Sequence, residues 1–419
     1  MSKFVVQKSP PLEGILRVSG AKNSVLILMA ATTLVDGECF IEDVPDLVDV
    51  KVMIELLEEL GVQCDFDVEK GTLRTKVVDE SNVSVPYELT QKIRASITLL
   101  GPLLAKRKRA VVSLPGGCGI GSRPIDLHLK GFKSLGVDVK VGHGEIEAIV
   151  NNPMKGSHIY LDFPSVGATE NIIMAAVLAE GTTVIENAAQ EPEITDLANF
   201  LSKMGAKITG AGTSTIRIRG VEKLQGCAHQ VMPDRIEAGT YMLATAVTKG
   251  KVRINNVLTT HLRPVISKLT EAGVDVEEHD DWVMVDATKG FKGVDITTLP
   301  YPGFPTDMQA QFMVLLAVSE GNSVVKETIF ENRFMHVNEL TRMGASIKID
   351  GSSAIVQGVK ELEGGKVRAT DLRAGAALII AGLIAEGTTE ILEGEHIDRG
   401  FVSIEKKLQS IGAIIERGE

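Results

Sequence analysis

Residues 58–66 read EELGVQCDF: a helical run closing on leucine, a glycine, then the alternation of a strand. The phrase returns as KSLGVDVKV (133–141), SKMGAKIT (202–209), TEAGVDVEE (270–278), TRMGASIKI (341–349) and QSIGAIIE (409–416). Its pivots are Gly61, Gly136, Gly205, Gly273, Gly344 and Gly412, separated by 75, 69, 68, 71 and 68 residues. Glycine just past a helix end fits a position where the backbone turns left-handed and a Cβ is penalised. Self-similarity at a fixed long period marks a repeat architecture.

Working outward, a second phrase precedes each pivot: a small-residue helix, a glycine turn and a strand. It reads TLVDGECFIEDV (33–44), VLAEGTTVIENA (177–188), AVTKGKVRINNV (246–257), AVSEGNSVVKET (317–328) and LIAEGTTEILEG (383–394). The second repeat has LLAKRKRAVVSLPGG (103–117) instead, and its Lys106–Arg109 charge run reads as a solvated turn. Each repeat is therefore helix–strand–helix–strand–strand. Six of them imply two similar α/β domains of three repeats each.

The sixth repeat is cut short, with seven residues after Gly412. Its missing part stands at the other end of the chain. VQKSPPLEGILRVSGAKNS (6–24) repeats the pattern of VQGVKELEGGKVRATDLRAG (356–375) and IRGVEKLQGCAHQVMPDRIEAG (218–239). The expected domains are thus 22–232, and 1–21 plus 233–419. Two strand crossings between them favour a hinged cleft over loosely tethered beads.

Composition narrows the function. Aromatic residues are 4% of the chain and the net charge is −11, which argues against a nucleic-acid footprint. The start MSKFVVQKSPPLEG has no signal-peptide core, and runs such as Ala374–Ile384 are too short to span a bilayer. Cys39, Cys64, Cys118 and Cys227 form no CxxC and read as reduced thiols of a cytoplasmic protein; all but Cys118 read as inert. Eight histidines form no HExxH and no pairing with cysteine, so no metal site is expected.

The first helix of each repeat is apolar on all sides, as in NSVLILMAATTL and GAALIIAGLIA, and should be fully buried. The second helices, such as VDVKVMIELLEEL, are amphipathic and should face solvent. The first helices start at or near Lys22, Arg94, Thr169, Arg235, Asp307 and Arg373. Equivalent positions in a repeat fold lie at equivalent ends, so these starts should gather on one face of each domain. Helix starts present unpaired N–H groups suited to phosphate or carboxylate. Asp307, taken alone, also reads as a first-turn acid or N-cap.

One stretch breaks the pattern. Leu114–Pro124 reads LPGGCGIGSRP, a glycine-rich segment with Cys118 at its centre and Arg123 as a nearby cation that favours a thiolate or an anion. A passive turn with a bystander cysteine is the alternative. Its place in the second repeat, replacing an ordinary strand-to-helix turn, reads as a mobile lid over a site lined by helix starts.

SGAKNS (19–24), LPGGCGIGSRPIDLH (114–128), PSVGATE (164–170), YPGFPTDMQAQF (301–312), ETIFENRFMHV (327–337), ATDLRAG (369–375) and HIDRG (396–400) together resemble the UDP-N-acetylglucosamine 1-carboxyvinyltransferases, the MurA family of enolpyruvyl transferases. The resemblance covers nearly the whole chain. It implies a two-domain inside-out α/β barrel with the active site in the cleft. It implies transfer of the enolpyruvyl group of phosphoenolpyruvate to the 3′-hydroxyl of UDP-N-acetylglucosamine, with release of phosphate, as the first committed step of peptidoglycan synthesis in a bacterium. No cofactor is implied.

By the same resemblance, Cys118 is the general acid toward C3 of phosphoenolpyruvate and the thiol alkylated by fosfomycin. Asp307 is the base for the sugar hydroxyl. Lys22 and Arg123 clamp the phosphate of phosphoenolpyruvate, with Arg399 on its carboxylate or on the closed loop and Arg373 a further cationic contact. Asn23 binds the sugar and orients the intermediate. Arg94, Arg123, Pro124, Ile125, Asp126, Leu127 and His128 form the nucleotide site, Ser165, Val166 and Gly167 the diphosphate site, and Ile329 a uridine-side contact. The chain departs from some members at Phe163–Pro164, where they have a lysine, so a diphosphate contact through that lysine is not carried over.

The nearest rival is the 3-phosphoshikimate 1-carboxyvinyltransferases, with the same barrel and donor; the cysteine loop and HIDRG favour the UDP-sugar enzymes. A UDP-sugar-binding regulator without catalysis is a second alternative, opposed by the joint presence of Cys118, Asp307, Lys22, Arg123 and Arg399. GGCGIGS fits GxGxxG in no register and no Walker motif occurs, which disfavours a Rossmann dehydrogenase and an ATP-dependent kinase.

Overall fold

A helix with no polar face has to be enclosed, and here sheets enclose the helices. The computed structural model describes residues 2–114, 120–121 and 124–418, so Cys118 and Arg123 lie outside the described residues. Two compact units emerge. The first holds residues 20–114 and 124–232; the second holds 2–19, 120–121 and 233–418. Among the described residues the strands form six four-stranded sheets, three in each unit.

In the first unit the strands Glu38–Glu42, Arg109–Ser113 and Thr182–Glu186 each run antiparallel to a later strand of their own repeat. On the other side each pairs in parallel with a short strand lent by the preceding repeat. Ser84–Val85 joins Arg109–Ser113, His158–Tyr160 joins Thr182–Glu186, and Ala228–Gln230 returns to Glu38–Glu42. The loan closes a ring of three. These lent strands form a sixth element per repeat that the sequence reading lacks, because two or three residues carry no period.

The second unit closes its ring with the start of the chain. Ile296–Thr297 joins Asn322–Lys326, Lys366–Arg368 joins Thr388–Leu392, and Glu13–Arg17 joins Lys251–Asn255. Lys3–Gln7 lies antiparallel between Thr388–Leu392 and Ile414–Gly418, with Lys3 opposite Gly418. Phe4, Val6, Leu12, Leu16 and Val18 are buried in the same core as residues of 236–415.

The helices Arg235–Val247, Gln309–Ala317 and Leu372–Gly382 pack on one another inside the second unit, and Leu100–Arg107 packs on Val166–Ala176 in the first. Small residues permit this: a Cβ on Gly101 would fall 2.3 Å from the Asn171 carbonyl oxygen. All six pivot glycines have positive φ, from 75° at Gly61 to 107° at Gly205. The second phrase is less uniform. Gly181, Gly321 and Gly387 turn left-handed, but Lys108 and Lys249 take that conformation in the second and fourth repeats.

Lys22 and Arg235 open their helices, Arg373 is second in its own, and Arg94 opens a 3₁₀ segment, Arg94–Leu99. Asp307 sits mid-way in the 3₁₀ turn Thr306–Met308, and Thr169 lies inside a helix that begins at Val166. The break in the sixfold pattern is also not confined to one place. The strand-to-helix connection 114–125 is long, but so are 327–335 and 393–403, against 43–47 and 187–191 elsewhere. The three long connections carry the cysteine loop, the ETIFENRF motif and HIDRG.

Because Gly418 and Lys3 stand opposite each other as in a hairpin, joining them by a short turn should preserve the fold. A circular permutant so joined and reopened at the exposed His143–Gly144 turn is expected to unfold cooperatively within a few degrees of the parent in a circular-dichroism melt. Loss of cooperative unfolding would refute the ring closure.

Candidate active site

In the second unit the carboxylate of Asp307 is gripped from two sides. Oδ1 accepts from Arg333 Nη2 at 3.0 Å, and Oδ2 accepts from Arg373 Nε at 3.1 Å and Nη2 at 2.9 Å. Both arginines are about 95% buried while the Asp307 side chain keeps 27% of its exposure, so one edge of a net-cationic cluster reaches solvent. Planar guanidinium groups suit such bidentate contacts. Arg373 Nη1 is buried with no hydrogen-bond partner among the described residues, a donor left over for an anion. Asp371 fixes the start of this helix by accepting from the Arg373 and Ala374 N–H groups at 2.8 and 3.1 Å. Asp307 does not cap its helix; it holds the two arginines.

Neighbouring segments pack against the elements that carry this cluster. Arg399 ends the 3₁₀ segment Gly394–Arg399, half-buried, and Ile397 of that segment fills the space a Cβ on Gly375 would need, 2.5 Å away. Ile329 is half-buried in the connection leading to Arg333. Asn332 N–H donates to the Ile120 carbonyl at 3.0 Å, and a Cβ on Gly121 would lie 2.6 Å from Glu331 Oε2. The end of the cysteine loop is thus seated against the residues that precede Arg333. His336, just beyond, is pushed down to about 4 by burial, with Asp371 opposing and Arg333 adding to the shift.

In the first unit Lys22 Nζ pairs with Asp49 Oδ2 at 2.6 Å, both side chains buried. Asn23, next to it, is the exposed residue of its helix. Ser24 donates to Asp196, whose other oxygen lies 2.8 Å from His229 Nε2. The aspartate stands between serine and histidine, so this is a strut for the helix start and not a nucleophile–base relay.

A second group in that unit surrounds His128. Its Nδ1 lies 2.9 Å from Asn171 Nδ2, while Asn171 Oδ1 accepts from Gly101 N–H at 2.7 Å. Burial first and the Arg94 charge second push His128 down to about 4. It is therefore neutral, accepting at Nδ1 and carrying its proton on Nε2. That edge faces the start of Val166–Ala176: a Cβ on Gly167 would lie 3.2 Å from His128 Cε1 and 3.4 Å from Nε2. Ser165 caps this helix by accepting from Ala168 N–H. Arg94, His128, Ser165, Val166 and Gly167 thus form one neighbourhood that offers N–H donors and a cation to an anionic ligand. Pro124 and Asp126 are exposed beside it, and Ile125 and Leu127 are half-buried. Glu170 is buried; burial, then Glu193 and Glu191, hold its pKa well above the usual carboxylate range.

Arg333 is absent from the residues expected from sequence. Its only signal there is an arginine among the polar and apolar residues of the ETIFENRFMHV motif. Cys39, Cys64 and Cys227 are free thiols; burial pushes Cys39 up to about 11 and Cys64 up to about 12, and raises Cys227 as well. They are poor nucleophiles at neutral pH. Among the described residues no cluster of His, Cys, Asp or Glu is arranged to hold a metal ion.

Comparison with known proteins gives the chain its relatives. A family model described as EPSP synthase (3-phosphoshikimate 1-carboxyvinyltransferase) matches residues 6–408. UDP-N-acetylglucosamine 1-carboxyvinyltransferase 1 of Caldanaerobacter subterraneus subsp. tengcongensis is 60% identical over 416 residues, 99% of each chain. UDP-N-acetylglucosamine 1-carboxyvinyltransferase 2 of Carboxydothermus hydrogenoformans is 56% identical over 419 residues, 100% of this chain and 99% of its own. Among solved structures, the enolpyruvyl transferase NikO from Streptomyces tendae aligns with a TM-score of 0.90 at 26% identity, covering 99% of this chain and 98% of NikO.

His128 and His336, two of the buried histidines, make a pH prediction. Each has a folded-state pKa below the unfolded value, so each stabilises the fold above pH 6.5 and loses that contribution as the pH falls toward 4. The loss reaches about 2 kcal/mol per histidine at pH 5. Glu170 acts in the opposite direction, so a site-resolved readout is needed. Imidazole proton resonances of His128 and His336 should stay fixed from pH 7.5 to 5 and move near pH 4; midpoints near 6.5 would refute the assignment.

Proposed function

This chain belongs to the enolpyruvyl transferase family and shares its two-domain α/β fold, and from that premise we propose that it transfers the enolpyruvyl group of phosphoenolpyruvate to the 3′-hydroxyl of UDP-N-acetylglucosamine. The observation that carries the substrate is the full-length identity of 60% and 56% to two UDP-N-acetylglucosamine 1-carboxyvinyltransferases. The product enters peptidoglycan synthesis. The reaction places the enzyme in the cytoplasm, where both substrates are made, and its partners are these small molecules.

The chemistry is addition followed by elimination. Cys118 gives its thiol proton to C3 of phosphoenolpyruvate, leaving a cationic C2. The 3′-hydroxyl oxygen bonds to C2 as Asp307 takes its proton. A C3 proton then returns to the Cys118 thiolate, the C2–O bond to phosphate breaks, and the enol ether and inorganic phosphate remain. Such proton transfers by positioned side chains supply about 10²–10⁴-fold each.

Charge is the second requirement, because phosphoenolpyruvate brings a phosphate and a carboxylate. Lys22 and Arg123 serve the phosphate; Arg373 and Arg399 serve the carboxylate and the closed loop. The unpartnered Arg373 Nη1 supports this reading. Arg333 joins them by holding Asp307, so that the base keeps its orientation while the arginines face substrate. Asn23, exposed at its helix start, orients the sugar. Arg94, Arg123, Pro124–Leu127 and His128 take the nucleotide, Ser165–Gly167 the diphosphate, and Ile329 the uridine side. A neutral His128 donates from Nε2 without adding charge to that pocket.

Mixing the protein with phosphoenolpyruvate and UDP-N-acetylglucosamine, without added metal, should release one phosphate per turnover; shikimate 3-phosphate in place of the sugar nucleotide should release none. Absence of release, with both substrates shown to bind, would sink the reading. Cys118→Ser and Asp307→Ala should each lower kcat by at least about 100-fold while binding of the sugar nucleotide persists. Fosfomycin should inactivate the wild type with one adduct on Cys118. Wild-type turnover in either variant would remove that residue's role.

A further inference from the structure

Glu327 is buried at the end of the strand Asn322–Lys326, and its carboxylate accepts four hydrogen bonds. Oε1 takes the Ile329 and Phe330 N–H groups at 2.8 and 3.1 Å. Oε2 takes Thr306 Oγ1 at 3.0 Å and Gln309 Nε2 at 3.4 Å. The two pairs of donors come from different parts of the unit. Thr306 and Gln309 bracket Asp307 in the turn that opens its helix. Ile329 and Phe330 begin the connection that carries Arg333, whose guanidinium lies 5.6 Å from the Phe330 ring and 3.0 Å from Asp307.

A carboxylate that accepts from backbone and side-chain donors on both sides is a charge-assisted clamp. It ties the turn that bears Asp307 to the connection that bears Arg333. Without it, the turn that bears Asp307 loses its tie to the connection that bears Arg333, and a displacement of about 1 Å is enough to cost about 10²-fold in a positioned reaction.

We propose that Glu327 is a positioning residue for Asp307, setting the direction in which that carboxylate meets the sugar hydroxyl. The inference rests on the functional reading above. Glu327 is 4% exposed and its carboxylate is taken up by protein donors, so its effect falls on turnover and passes through Asp307.

The test is a double-mutant cycle in the phosphate-release assay, run on the full chain. Glu327→Gln keeps the size and shape of the side chain and can still accept from the two backbone N–H groups. It places an N–H where Thr306 and Gln309 now donate. The expected result is a kcat lower by about 10–100-fold, with KM for both substrates within about twofold of wild type. In an Asp307→Asn background the same change should cost less than about twofold, because the residue through which it acts is gone. Thr306→Val, which deletes a single bond of the clamp, should show the same split in weaker form and serves if Glu327→Gln does not fold. Losses that multiply independently in the double variant, a rise in KM at unchanged kcat, or wild-type kcat in the single variants would overturn the role. A wild type that releases no phosphate removes the functional reading and this role with it; an active wild type with independent losses removes this role alone.

Discussion

Helices without a polar face leave only their ends to meet anything charged. The first helices of the repeats are buried almost from end to end, so the chemistry they offer is the set of side chains and unpaired N–H groups at their starts. The sheets follow from the same constraint. Three sheets can surround such helices only if each has a strand to spare for the next, and the lent strands supply it. Active-site placement is thus a by-product of how the core is enclosed.

The polar groups at these helix starts are expensive. A buried ion pair costs several kcal/mol of desolvation per charge unless every oxygen and N–H finds a partner. Asp307 meets that requirement with two guanidinium groups, Lys22 with Asp49, and Asp196 with Ser24, His229 and the Met232 N–H. Hydrocarbon of similar size would stabilise these positions as well or better. What the ionic groups gain is direction: a carboxylate held at both oxygens points one way.

Much of this was readable in the sequence, and the parts that were not have identifiable physical causes. Glycines such as Gly205 and Gly412 were legible because left-handed geometry restricts the residue type, and the all-apolar helices because burial does. Asp307 and Arg373 stood out as charges at helix starts. Their mutual contact did not, since they are separated by a whole repeat and only the packing of Gln309–Ala317 on Leu372–Gly382 brings them together. Arg333 lies in an irregular connection, where no period announces which way a side chain turns. The short lent strands escaped for the same reason. The left-handed turns at Lys108 and Lys249 carry residues that give no sign of that conformation.

The ring that closes through the first residues also orders events on the ribosome. Residues 20–232 contain every strand and helix of the first unit, so it can close its ring while the rest of the chain is still being translated. The second unit has no such freedom. Lys3–Gln7 is made long before its partners Thr388–Leu392 and Ile414–Gly418. At about 5–20 residues per second that strand waits some tens of seconds with both edges open. An open edge invites pairing with another chain. Newly made protein is therefore most exposed to aggregation through Lys3–Gln7, for a time set by the length of chain that separates it from its partners.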